Sequence, residues 1–134
     1  MKKKRIPYPI RIPVTQGLVD SLGKELHFGI LGLQHNHNSS DNWKKVGKVI
    51  FIVSIASDDA ANIDRKDKTA VDNAVIALEQ ISNREVDTGE WSATEIEILA
   101  LCRGALAAES IIPRLDSRVL AKGYDAFMAM ATAI

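Results

Sequence analysis

The chain has 134 residues, with 17 Lys and Arg against 17 Asp and Glu, 46% hydrophobic residues and one cysteine. That is one domain of ordinary size, able to bury roughly two-thirds of its unfolded surface, and too apolar for a disordered chain. A single cysteine excludes a disulfide framework and a cysteine-rich zinc module.

The net charge of zero hides an asymmetry. Residues 1–48 carry nine Lys and Arg against three Asp and Glu, whereas residues 49–134 carry eight against fourteen. Much of the positive half is the opening segment MKKKRIPYPIRIP. It begins like a secretory signal but lacks the apolar core, since Pro7, Pro9, Arg11 and Pro13 interrupt it. The longest strongly apolar run, VIFIVSIA at 49–56, is far short of the about 20 residues that a spanning helix needs. A cytoplasmic protein without a membrane span is therefore expected.

The prolines predict an extended arm over residues 1–13, ahead of a helical domain over 14–134. On a period-two ribbon Ile6, Tyr8, Ile10 and Ile12 share one side. An extended segment with one apolar side calls for a surface to lie on, in its own domain, a sister subunit or another protein. Lys2, Lys3, Lys4, Arg5 and Arg11 make the same arm a candidate for phosphate or minor-groove contact with nucleic acid.

Helical spacing follows. Thr15 is placed to cap a helix running to about Gln34, with Val19, Leu22, Leu26 and Leu33 on its stripe. Gly17, Gly23, Gly29 and Gly32 weaken that helix but allow a neighbour to come close. After the polar turn HNHNSSD, Trp43, Val46, Ile50 and Val53 mark a second helix. It continues through VIFIVSIA, where helix is favoured over strand because the spacing begins upstream. Residues 57–68 read as a loop, and a third helix is expected from about Lys68 to Asn83.

Ser92 and Glu95 have the spacing of a capping box, flanked by Trp91 and Ile96 as a hydrophobic staple. A fourth helix is expected from there to about Ile112, exposing only Glu95, Glu97, Arg103 and Glu109, and therefore central. Pro113 ends it. A fifth helix from about Asp116 or Ser117 carries Leu120, Tyr124, Phe127, Ala131 and Ile134, so that a docked C-terminus is expected. The fold class is all-α: a compact bundle of about five helices preceded by a basic, proline-containing arm.

Chemistry-bearing motifs are sparse. No Walker or dinucleotide glycine pattern is present. His35 and His37 lie two apart, with His27, Glu25 and Asp41 nearby, but the spacing suits a hydrophilic turn better than a metal site. No Glu-x-x-His pair recurs on two helices. His27, between Leu26 and Phe28, reads as a partly buried structural histidine. Cys102 falls within an apolar helix and reads as a buried thiol acting as a small hydrophobe. Asp58 with Asp59, and Glu95 with Glu97, suit loop and cap roles better than a positioned acid and base. The fourth helix lacks the polar, basic outer face of a recognition helix.

These readings predict a non-enzymatic protein with no catalytic residues, metal or cofactor. It would work through self-assembly or contact with another protein, using Ile6, Tyr8, Ile10 and Ile12. The alternatives are a regulatory nucleic-acid binder using the basic arm and, last, a metal protein or enzyme.

Overall fold

A computed structural model describes residues 12–35, 39–58, 60 and 62–132. Helices span Gln16–Gln34 (α1), Ser39–Asp58 (α2), Arg65–Thr88 (α3), Glu95–Ile111 (α4) and Ser117–Thr132 (α5), with a 3₁₀ turn at Ile112–Arg114. The all-α expectation holds. Among the described residues, β structure is confined to one isolated antiparallel bridge between Pro13 and Asp116.

The helix ends follow local chemistry. Thr15 caps α1 as its position predicts, its hydroxyl accepting from the Leu18 amide at 3.3 Å. VIFIVSIA is helical, and Val49, Ile50, Ile52, Val53 and Ala56 are all buried. Helix α3 is longer than its apolar stripe predicts. It begins at Arg65 because the Asp64 carboxylate caps it, accepting from the Lys66 amide at 2.9 Å. It ends at Thr88, where Gly89 takes the left-handed conformation (φ 79°) that favours glycine.

The expected loop over 57–68 shrinks to match. Lys68 Nζ lies 2.7 Å from Asp58 Oδ1 and 3.0 Å from Asp72 Oδ1, and donates to the Ser54 carbonyl at 3.2 Å. One ammonium thus joins the end of α2 to the start of α3. Burial lowers the Lys68 pKa, but the two carboxylates outweigh it and hold the value above the ordinary one.

Side-chain pairings set the helix directions. Glu25 meets Lys48, Lys68 meets Asp58, and Arg84 meets Glu97. With Gly32 facing Asn42, Trp43 donating to the Leu78 carbonyl and Gly104 facing Ala74 as second contacts, each successive pair from α1 to α4 is antiparallel, which gives an up-and-down four-helix bundle. Helix α1 also touches α4, closing the square. Helix α5 lies against the outer side of α2, where Phe51 and Phe127 stack with ring centroids 6.3 Å apart. Helix α2 touches all four other helices. It takes the central place that the sequence reading assigned to α4, because α5 covers the side of α2 that faces away from the square.

The close approach of α1 and α2 depends on missing side chains. A Cβ at Gly29 would sit 2.6 Å from Val46 Cγ2 and 3.2 Å from the Asn42 carbonyl oxygen, and one at Gly32 would overlap the Asn42 side chain. Gly23 faces Glu109 across the gap to α4. The packing role expected of the α1 glycines holds for these three. It fails for Gly17, which has no neighbour within 4 Å.

Candidate interaction surface

The start of α4 decides which of its sides turns inward. The capping box is Thr94 with Glu97, two residues beyond the predicted Ser92 and Glu95. The Glu97 amide donates to Thr94 Oγ1 at 3.2 Å, and the Thr94 amide donates to Glu97 Oε1 at 2.9 Å. Both spacings fit the motif, and Arg84 selects between them. Its guanidinium donates to Glu97 Oε1 at 2.9 Å, to Oε2 at 2.6 Å and to the Ser92 carbonyl at 2.6 Å. Arg84 thereby takes up the Ser92 carbonyl, which a helix capped by Ser92 would use to accept from the Ile96 amide.

Glu97 is consequently buried, a correction to its expected exposure. Burial alone would raise its pKa. The Arg84 hydrogen bonds and the Thr94 amide outweigh that effect and hold the carboxyl below its ordinary range. Trp91 packs on Trp43, ring centroids 5.2 Å apart, and Trp43 Nε1 donates to the Leu78 carbonyl at 2.9 Å. The predicted staple between Trp91 and Ile96 does not form: Ile96 is 81% exposed.

With Glu97, Leu101, Gly104, Ala105, Ala108 and Ile111 buried, the opposite side of α4 faces outward. It presents Ile96, Leu99 (49% exposed), Leu106 (64% exposed) and Cys102. Cys102 is on the surface, contrary to the buried role expected from its apolar neighbours in sequence. The charged residues on this exposed side are Glu95 and Arg103. Spacings of three, four and three separate Ile96, Leu99, Arg103 and Leu106, the rhythm of a helix–helix seam. That rhythm was present in the sequence, where all-round apolar content was taken as a sign of burial.

Helix α1 adjoins α4. His27 Nε2 lies 3.1 Å from Glu109 Oε1, with both side chains substantially exposed, so His27 is not the partly buried residue expected. Leu31 is one turn onward from His27 and Leu106 one turn back from Glu109. Leu31, like Leu106, is exposed, on the helix that neighbours α4. Phe28, 64% exposed, lines a groove together with Leu31.

Beyond Phe28 the surface becomes polar. An open groove of about 500 Å³ runs between α1 and α2, lined by Phe28, Leu31, Gly32, His35, Asp41, Asn42 and Lys45. A second, of about 410 Å³, shares Phe28 and Lys45 and includes Asp20, Lys24 and Glu25. Lys44 and Lys45 are exposed, but Lys48 lies 3.5 Å from Glu25 and the grooves carry both signs of charge. They do not form a single basic stripe.

Of the arm residues singled out in the sequence, Ile12 is described. Ile6, Tyr8, Ile10, Lys2, Lys3, Lys4, Arg5 and Arg11 lie outside the described residues, as do His37 and the C-terminal Ile134. Ile12 is tied by its backbone to its own domain. Its amide donates to Asp116 Oδ2 at 2.9 Å, and its carbonyl accepts from the Ser117 amide at 2.7 Å. Its side chain remains 46% exposed. Asp116 also caps α5, accepting from the Arg118 amide at 2.8 Å, and pairs with the Arg118 guanidinium at 2.8 Å. The hydrogen bonds from Arg118 lead in holding the Asp116 carboxyl well below the usual carboxylate range, against some burial, with the Ile12 amide adding to them.

Among the described residues, no group of three or more His, Cys, Asp and Glu is placed to hold a metal ion, and no helix is long and apolar enough to cross a membrane. Comparison of the chain with protein-family models, with curated proteins and with solved structures found no match.

Proposed function

We propose that this is a non-enzymatic helical protein that acts through protein–protein contact and self-assembly. The observation that carries the reading is the exposed apolar strip of α4, with Leu31 and Phe28 also exposed on the neighbouring α1. Single exposed apolar residues are ordinary on a protein surface, but a contiguous strip flanked by charged groups marks an interaction surface. The arm serves the same end. Ile12, at its base, is hydrogen-bonded to Asp116 and Ser117 at the start of α5, and Ile6, Tyr8 and Ile10 are the residues proposed to contact a neighbouring subunit or partner.

Light scattering after size exclusion tests this on the full chain and on a chain lacking residues 1–11, which keeps the Ile12 and Pro13 contacts to α5. The full chain is expected to be an oligomer, and the shortened chain a more weakly associated one of unchanged helicity. Two folded monomers would remove self-assembly from the reading.

A further inference from the structure

We infer that the groove along α1 and α2 seats the N-terminal arm of a second copy, with Arg5 and Arg11 on Asp20 and Asp41 and Tyr8 between them on Phe28. This rests on the reading that the chain assembles through its arm, and it names the surface that the arm meets.

The two open grooves share Phe28 and Lys45. Together they follow α1 from Gly17 to His35, about 27 Å at the helical rise. Phe28 and Leu31 are exposed within them. Asp20 lines one end and Asp41 the other, both exposed. Neither takes part in an ion pair among the described residues. Because Gly32 faces Asn42, Asp41 stands nearly level with Gly32, about 18 Å along the axis from Asp20.

The arm carries the matching order. Pro7, Pro9 and Pro13 favour the polyproline conformation, in which residues three apart share a side. Arg5, Tyr8 and Arg11 then share one side, with the two arginines about 19 Å apart. A cation, an aromatic ring and a cation thus face an acid, an aromatic ring and an acid over nearly the same length. Ile6 and Ile10 flank that side and meet the groove walls. Lys24 and Lys45 line the groove between the two acids, where the arm is uncharged from Ile6 to Ile10.

Proline stiffness also argues for a second copy over the arm's own groove. Residues 12–15 enter α1 without a turn, and Ile12 is bonded through its amide and its carbonyl to the start of α5. To lie back along its own α1 the arm would have to reverse at Ile10 and Arg11, because the residues before Pro7, Pro9 and Pro13 are held extended. A reversal there takes Arg11 out of line with Arg5.

Sedimentation over a concentration series tests the seat with two variants. One carries Arg5→Glu and Arg11→Glu, outside the folded domain; the other carries Asp20→Lys and Asp41→Lys. Each is expected to raise the dissociation constant of the full chain by about tenfold or more, with helicity unchanged. Mixing the two variants is expected to restore association, since each supplies the arm that fits the other's groove. Phe28→Ala is expected to weaken association as well.

A full chain that stays monomeric overturns this inference together with self-assembly. Association unmoved by Asp20→Lys with Asp41→Lys overturns the groove seat and leaves self-assembly standing. Two weakened variants that do not associate on mixing overturn the exchange of arms between copies.

Discussion

Helices α2 and α4 look alike on paper, each apolar on nearly every side in its middle turns, yet they end in different settings. Helix α2 is covered by α1, α3, α4 and α5, so its β-branched run meets protein all round. Helix α4 is covered by α3, α1 and α2, and its outer side holds Ile96, Leu99, Cys102 and Leu106 at the surface. Apolar content says that a helix face calls for a partner. It does not say whether the same chain supplies that partner.

The contrast can be broken most forcefully in α2. Val53 is fully buried, and Val53→Asp is expected to cost about 4 kcal/mol or more by burying an unpaired charge. Loss of the cooperative transition in urea or heat checks it.

Next comes the inward anchor of α4. Glu97→Gln leaves the Arg84 guanidinium, 30% exposed, without its ion partner, and is expected to cost about 2 kcal/mol near neutral pH. The folded pKa of Glu97 is lowered. Its contribution is therefore present above the unfolded carboxylate value of about 4.3 and is lost as pH falls below it, because the unfolded state takes up its proton first. The gap between parent and variant should accordingly narrow on acidification, as read by urea midpoints at several pH values.

A smaller effect measures how tightly α4 packs on its inner side. A Cβ at Gly104 would overlap that of Ala74 and sit 3.2 Å from the Ala70 carbonyl oxygen. Gly104→Ala is expected to destabilise by about 1 to 2 kcal/mol despite its better helix propensity, because α3 and α4 must separate. Thermal unfolding checks the sign.

The smallest effect belongs to the open side. Leu99→Asp, the same chemistry as Val53→Asp, should change monomer stability by less than about 0.5 kcal/mol, measured at a concentration low enough that assembly adds nothing. A large loss there would show that the face is covered within the monomer, and the contrast between the helices would collapse.

Much of the fold was legible because its signals are local. Thr15 capped α1 where its position said it would, Pro113 closed α4, and the spacing begun at Trp43 carried through VIFIVSIA as helix. The misplaced capping box shows where local signals run out. Ser92 with Glu95 and Thr94 with Glu97 satisfy the same pattern, and only Arg84, on another helix, selects the second. The exposed apolar side of α4 was missed for a related reason: its rhythm over Ile96, Leu99, Arg103 and Leu106 was in the chain, but the rhythm alone does not say which stripe a neighbour covers.

The sequence by itself determined the helical class, the number of helices and the starts of α1 and α5, because caps, prolines and periodicity act over a few residues along one stretch of chain. The tertiary structure alone decided which helix is central, that Glu97 turns inward while Cys102 turns outward, and that Ile12 is held at Asp116. Those outcomes depend on groups distant in the chain meeting in space: Arg84 reaching Glu97, α5 covering α2 rather than α4, and the arm's base returning to the start of the last helix.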